Sequence, residues 1–407
     1  MAALIDDSRI VTPHLPSLSH LSRVSVALPL LNEFGIGTLD RAVSEIQLGN
    51  STASNEGSED HEINYNRAMG KLLLIPPRLR KSVLEAVHGM HWEIEAWRYQ
   101  HSNIFKFKDH ECFFHWRSEG TIDTIKMAQQ LVLDQNINIR KRFQIACNYC
   151  LMKSVRTLWA EMEASGKTKC FKTADSILVR IWVRWLREGS RIPWTQAAAE
   201  YLDILVWNNR IPVARFSAIF SSLRPEDRKK FLIPIQSSLP QDFRLCIYSM
   251  TKEEQEEVVR ENPLGVLYLH LDWPLQNLFL ETAEKIIDFI DARSFRILLR
   301  YIVDLDDRGD FDYRELFREL WNRIPDHLKR SARRSRYLRM IIDSCFDEIK
   351  RKGNDDDNNE PIISKRKSGS DTNRKNKSIR KSRRSESSPF SACCVSPLTI
   401  NYLGKER

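Results

Sequence analysis

Apolar residues recur three and four apart over most of the chain, the spacing that gathers them on one face of an α-helix. In Arg142–Met162 (RFQIACNYCLMKSVRTLWAEM), Phe143, Ala146, Cys147, Cys150, Leu151, Val155, Leu158, Trp159 and Met162 form one stripe, which predicts a helix about six turns long. The same period runs through Leu79–Trp97, Ser176–Leu186, Ala197–Trp207, Phe279–Ile290 and Arg293–Val303. Asn-Gly and Asp-Gly hairpin turns between alternating apolar runs do not occur. The pattern predicts an all-α protein of about fifteen helices in irregular antiparallel pairs, stacked as a solenoid-like array or a multi-helix bundle.

Helix boundaries are also legible. Thr251 with Glu254 predicts a capping box, and Asp291 is placed to cap the helix after it. A phrase with proline near the first turn recurs at Ile75 (IPPRLR), Leu239 (LPQDFR) and Ile324 (IPDHLK), and more loosely at Leu223 (LRPEDR). Its spacing is too irregular for a tetratricopeptide or ankyrin array. The expected organisation is an N-terminal helical segment (1–47), a polar mobile loop (48–63), an all-helical domain (64–352), a disordered basic and polar tail (353–389) and a C-terminal extension (390–407).

Composition agrees with helix, since glycine is scarce, at 14 of 407 residues, and Leu, Ile, Arg, Lys and Glu are plentiful. The net charge is +9, but its location changes the picture. Lys365–Arg384 holds ten Lys or Arg and one Asp, so this segment alone carries 10 − 1 = +9 and the remainder sums to zero. A smaller concentration lies at Lys329–Arg339 (KRSARRSRYLR), with six basic residues and no acid. That distribution excludes a polycation over the whole surface. Asp6 and Asp7, with short and proline-broken apolar runs, argue against a secretory leader, and no run of about 18 apolar residues predicts a transmembrane helix. With eight cysteines mostly inside helical stripes, the expectation is a reduced protein of the cytoplasm, the nucleus or both.

The series RFQIACNYCL, the LW shortly after it, LDWPLQNLFLETAE and FDYRELFRELW resembles a large, uncharacterised family of helical proteins present in many divergent copies in arachnids, over residues 64–347. The resemblance implies an all-helical fold with no catalytic motif and no assigned activity, and it does not extend to the basic tail.

Several stretches resemble chemical sites. Asp304–Glu315 (DLDDRGDFDYRE) has the carboxylates and glycine of a calcium loop at Asp304, Asp306, Gly309, Asp312 and Glu315, but Arg308 stands where a ligand belongs. Asp312 as N-cap with Glu315 three later, a capping box opening the next helix, explains the same residues. The CNYC at Cys147–Cys150 has metal-ligand or redox spacing, yet both thiols fall in the helical stripe and read as core. His88, His91, His110, Cys112 and His115 could in principle close a zinc site, though half-buried histidines are the simpler reading. Gly166–Thr168 (GKT) has Glu161 where a phosphate loop needs its first glycine, and reads as the end of a helix. Trp182, Trp185, Trp207 and Trp273 read as core.

No serine-hydrolase elbow, kinase signature or zincin motif is present, so no enzyme, cofactor or metal is predicted. The leading expectation is a non-enzymatic, intracellular binding or scaffold protein of unknown protein partner. The alternative is a nuclear, nucleic-acid-associated protein working through its tail. The residues expected to contact an import receptor or phosphate are Lys365, Arg366, Lys367, Arg374, Lys375, Lys377, Arg380, Lys381, Arg383 and Arg384.

Overall fold

Prolines and polar caps set where the helices begin. The structure, a computed structural model, describes residues 9–48, 59–102, 113–171, 177–206, 215–221, 223–236 and 238–356. Among these residues there are eighteen α-helices and no strand, with one isolated bridge between Trp116 and Ile122. An N-terminal layer comprises α1 (Leu18–Leu48), α2 (Glu59–Leu73) and α3 (Pro77–His101). The body starts with α4 (Thr124–Leu133), α5 (Ile139–Asn148), α6 (Met152–Ala164), α7 (Ile177–Arg187) and α8 (Trp194–Val206). It continues through α9 (Ser217–Phe220), α10 (Pro225–Ile235), α11 (Pro240–Tyr248), α12 (Lys252–Glu261) and α13 (Pro263–Leu269). The last helices are α14 (Phe279–Ile286), α15 (Ala292–Asp304), α16 (Tyr313–Arg323), α17 (Asp326–Arg333) and α18 (Arg336–Asp356). Most pack against helices one to three places away in sequence, as in an array.

All four proline phrases open helices: Pro77, Pro225 and Pro240 are the first residues of α3, α10 and α11, and Pro325 immediately precedes α17. Thr251 and Glu254 cap α12 reciprocally, each side chain accepting from the other's backbone N–H at 3.3 and 2.9 Å. Asp291 accepts from the N–H groups of Arg293 and Ser294 at 2.6 and 2.8 Å.

Several helix boundaries differ from those expected. The stripe of Arg142–Met162 is not one helix, because the chain turns at Tyr149–Leu151. Leu151 N–H donates to the Ala146 carbonyl at 2.9 Å and Cys150 N–H to the Cys147 carbonyl at 3.1 Å. This is a Schellman ending, with Cys150 in the left-handed position at φ 52° that glycine ordinarily takes. The polar loop is shorter than 48–63, since Leu48 ends α1 and 59–63 belong to α2. Packing of Tyr65, Ala68 and Leu72 against α1 holds this polar sequence helical. Helix α1 packs on α3, for Val24, Ala27 and Phe34 share one apolar cluster with Val83, Val87 and Met90. At the other end, α18 continues to Asp356, past the expected limit of 352. The polar and basic residues 357–407 lie outside the described residues.

A second, larger apolar cluster runs through the body from Val11 to Cys345. Trp273, in the segment between α13 and α14, belongs to the layer's cluster instead. Its indole lies on Gly89 of α3 and donates to the Gly120 carbonyl at 3.1 Å. Gly120, at φ 82°, closes a turn in which Arg117 and Thr121 pair through their backbones at 2.9 Å, a conformation that suits glycine.

Candidate functional site

The turn between α2 and α3 shapes an open apolar groove. Arg80 reaches back one turn, and its guanidinium donates to the carbonyls of Leu72 (3.0 Å), Ile75 (2.9 Å) and Leu73 (3.3 Å), groups that the end of a helix leaves unpaired. The turn is thereby fixed with its leucines outward. Val26, Pro29 and Leu30 of α1 face Leu74 and Ile75 across a groove of about 260 Å³, with Glu33 and Lys71 at its polar rim. Leu74 is 80 % exposed and Val26 42 %, and Leu73 and Leu79 beside them are half-exposed as well. Glu33 is tied to Arg67 of α2, which joins the two walls. Adjacent exposed apolar side chains around a preformed groove are a surface built to lose water to a partner.

A polar junction joins α3, the 113–123 segment, the α5–α6 turn, α9 and α11. His101 Nδ1 lies 2.7 Å from the Trp97 carbonyl, which can only accept, so this nitrogen carries the proton. Nε2 then accepts from the Tyr149 hydroxyl at 2.8 Å, and that oxygen in turn accepts from Arg215 Nη2 at 2.9 Å. The Arg215 guanidinium covers the Tyr149 ring at 3.9 Å. Asp242 accepts from the N–H groups of Phe216 (2.6 Å) and Ser217 (3.2 Å) and from the Ser217 hydroxyl. Buried Glu93 accepts from Ile122 N–H at 3.3 Å and Gln241 Nε2 at 3.0 Å.

Burial governs the protonation of these groups. It lowers His101 to about 4, raises Glu93 to about 7 against the pull of Arg244, and pushes the Cys150 thiol up to about 12. His101 is thus neutral and Cys150 a thiol at neutral pH. Apart from the His101–Trp97 bond within α3, every hydrogen bond named here connects one element of the fold to another, so the junction's evident work is to join them.

The positions nominated by the sequence are dispersed. In the calcium-like loop, Asp304 faces Arg300 at 4.0 Å, Asp306 pairs with Arg314 at 2.6 Å, Asp312 with Lys81 at 3.1 Å, and Glu315 with Arg318. The carboxylates therefore engage four different cations. Arg308 donates to Asp272 at 3.1 Å, and buried Asp310 accepts from Gln276 at 2.9 Å. The capping box is half made: Asp312 accepts from Glu315 N–H at 3.0 Å, and Arg318 holds the Glu315 carboxylate. His88 bonds Asp40 at 2.8 Å and His115 bonds Gln130 at 2.9 Å, while His110 and Cys112 lie outside the described residues. Among the described residues, no group of three or more His, Cys, Asp or Glu is placed to hold a metal ion. Cys147 is buried on α5 and Cys150 stands in the turn after it, and neither is in a disulfide. Gly166 is the left-handed residue just after α6. Trp182, Trp185 and Trp273 are buried, whereas Trp207 and the ten basic residues of Lys365–Arg384 lie outside the described residues.

The groove was not foreseen, because Val26, Pro29, Leu30, Leu74 and Ile75 fall in none of the apolar stripes singled out in the sequence. Its signal was the cation of IPPRLR, which pins the turn. No helix among the described residues is long and apolar enough to cross a membrane. No protein-family model matches the chain, and neither a curated protein nor a solved structure matches it.

Proposed function

We propose that this chain is a non-enzymatic binding or scaffold protein, and that the groove between α1 and the α2–α3 turn takes the apolar edge of a partner protein's helix. The observation that carries this reading is the coincidence of exposed Leu74 and Val26 with a groove of about 260 Å³ whose wall Arg80 fixes. An amphipathic helix suits it, because apolar side chains one turn apart match a short apolar trough with a polar rim. The cytoplasmic or nuclear address is inferred from the sequence, with an import receptor or phosphate as the partner of the basic residues of Lys365–Arg384.

Proximity labelling in the native cell tests the reading. The full chain is compared with a Val26→Asp/Leu74→Asp variant, whose helical circular dichroism confirms the fold. Loss of a defined set of labelled neighbours supports the groove as a docking site. An unchanged set refutes it.

A further inference from the structure

The basic residues of Lys329–Arg339 do not behave as ordinary partners of nearby acids. Arg330, Arg333, Arg334, Arg336 and Arg339 are all exposed, and none forms an ion pair among the described residues. Elsewhere arginines pair readily, as Arg41, Arg98, Arg184, Arg314, Arg318 and Arg323 do. Lys329 lies 3.8 Å from Asp326 and the Arg333 guanidinium lies 5.7 Å from the centre of the Trp321 ring, which leaves Arg330, Arg334 and Arg336 as the charge without a recorded partner.

The fold gathers these arginines and adds to them. Arg339 of α18 reaches back over the turn and donates from Nε and Nη2 to the Arg333 carbonyl at 3.1 and 2.9 Å, joining α17 and α18 into one surface. From α15, Arg296 donates to Ser331 at 3.1 Å, and Arg300 lies over the ring of Tyr337 at 5.3 Å. Tyr337 is 48 % exposed and Met340 65 %, so an aromatic and a thioether stand among guanidinium groups. The acids nearest in sequence are exposed Asp326, at the start of α17, and exposed Asp343 on α18, while Asp304 faces Arg300 at 4.0 Å.

Helix stability accounts for only part of this charge. Arg330 and Arg333 stand in the last turn of α17, where the macrodipole favours cations. Arg336 and Arg339 open α18, where it disfavours them, and no acid stands in that first turn. The charge is therefore placed against the helix's own preference. A polyanion supplies what the fold withholds, since a guanidinium fork matches a phosphate's oxygens and an exposed ring offers a base a stacking face. Between Arg339 and Lys365 the sequence carries seven acids and three bases, so the +9 of Lys365–Arg384 is a separate concentration of charge.

We propose that the α15–α17–α18 face binds single-stranded nucleic acid, with arginines on the phosphates and Tyr337 stacking on a base. The test is fluorescence anisotropy of a labelled oligouridine about twenty nucleotides long, titrated with the full chain over a range of salt. Arg330→Glu/Arg334→Glu/Arg336→Glu changes three exposed side chains that make no recorded contact, so the fold should persist by circular dichroism. It should weaken binding at least about tenfold and reduce the slope of log affinity against log salt by about 2. The corresponding triple Lys variant keeps the charge but loses the fork, and should bind more tightly than the triple Glu variant and more weakly than the native chain. Tyr337→Ala should cost about tenfold, with its effect persisting at higher salt, because stacking is not screened.

A tail variant with Arg380, Lys381, Arg383 and Arg384 changed to Ala should retain the dependence on Tyr337. Native affinity in both the triple Glu variant and Tyr337→Ala would overturn the proposal by assigning all binding to other residues. So would absence of binding at low salt. Equal or tighter binding to a duplex, or to phosphatidylserine vesicles, lost on the same substitutions would overturn it too.

Discussion

Replacing Gly89 by alanine tests how the N-terminal layer is fixed to the body. In the interior of α3 this change gains about 1 kcal/mol of helix propensity. The local environment opposes it. A Cβ at this position would lie 2.3 Å from Cδ2 of Trp273, 2.5 Å from Cε3 and 2.7 Å from Cγ. Carbon atoms in contact sit about 3.5–4.0 Å apart, so the indole must retreat by more than about 1 Å. Its Nε1 is bonded to the Gly120 carbonyl at 3.1 Å, and the His20 ring lies 5.1 Å from its own. Overpacking costs about 1–3 kcal/mol and stranding a buried polar group about 1–3 more. Subtracting the helix gain leaves a net destabilisation of about 1–5 kcal/mol.

Urea denaturation followed by tryptophan fluorescence and circular dichroism measures the effect. Gly70→Ala serves as control, because a Cβ there meets nothing within 4 Å, and it should stabilise by up to about 1 kcal/mol. In a Trp273→Leu background the cost of Gly89→Ala should largely vanish, which locates it at this contact. If Gly89→Ala is as stable as the native chain, the docking of Trp273 on α3 described above is wrong.

Four further outcomes are expected. Glu93 is raised to about 7 by burial, above its unfolded value near 4.5, so its charge costs stability increasingly as pH climbs from about 4.5 to 7. Glu93→Gln should remove that decline and stabilise at pH 8, by at most about 3 kcal/mol, in denaturation curves taken across the window. His270, lowered to about 4 by burial, acts in the opposite sense, and stability is lost as pH falls from 6.5 toward 4, a loss that His270→Leu should reduce. Arg308→Ala leaves Asp272 without its cation at 3.1 Å and should cost about 2 kcal/mol in urea, discounted because the pair is partly exposed. Calcium should leave the thermal midpoint of the native protein unchanged, and a rise lost in Asp304→Ala would overturn the assignment of this loop as a helix junction.

The helices were legible because burial repeats along them. Proline openings and the caps at Thr251 and Asp291 followed from backbone chemistry local to a few residues. The break at Cys150 was hidden because cysteine continues an apolar stripe while taking the backbone geometry glycine normally supplies. Glu93, in the run HWEIEAW, reads as one more solvated charge. Its burial depends on Gln241 and Ile122, which no local window contains. The groove was concealed for the same reason, since no local window shows which apolar residues the fold leaves uncovered.

Of these residues, Glu93 lies where the layer meets the body, among the contacts that would couple the two. The layer's apolar cluster takes only Trp273 and, at its edge, Trp116 from outside α1–α3. Its other recorded attachments are a small apolar cluster of Trp97 with Ile122 and Met127, and polar contacts: Glu93 to Gln241, His101 to Tyr149, Trp92 to the Arg308 carbonyl at 3.1 Å, Lys81 to Asp312 and His20 to the Glu119 carbonyl at 2.9 Å. The groove lies on α1 and the α2–α3 turn, whereas the arginine face lies on α15, α17 and α18. Coupling between sites requires an element whose two states both sites bias. The layer and the arginine face share no continuous apolar cluster, and the attachments named here hold one arrangement. Val26→Asp/Leu74→Asp should therefore leave oligouridine affinity within about twofold of native, a coupling below about 0.5 kcal/mol. A larger shift, with the fold intact, would mean that the Asp312–Lys81 and Arg308–Trp92 contacts transmit strain to the helices carrying the arginines.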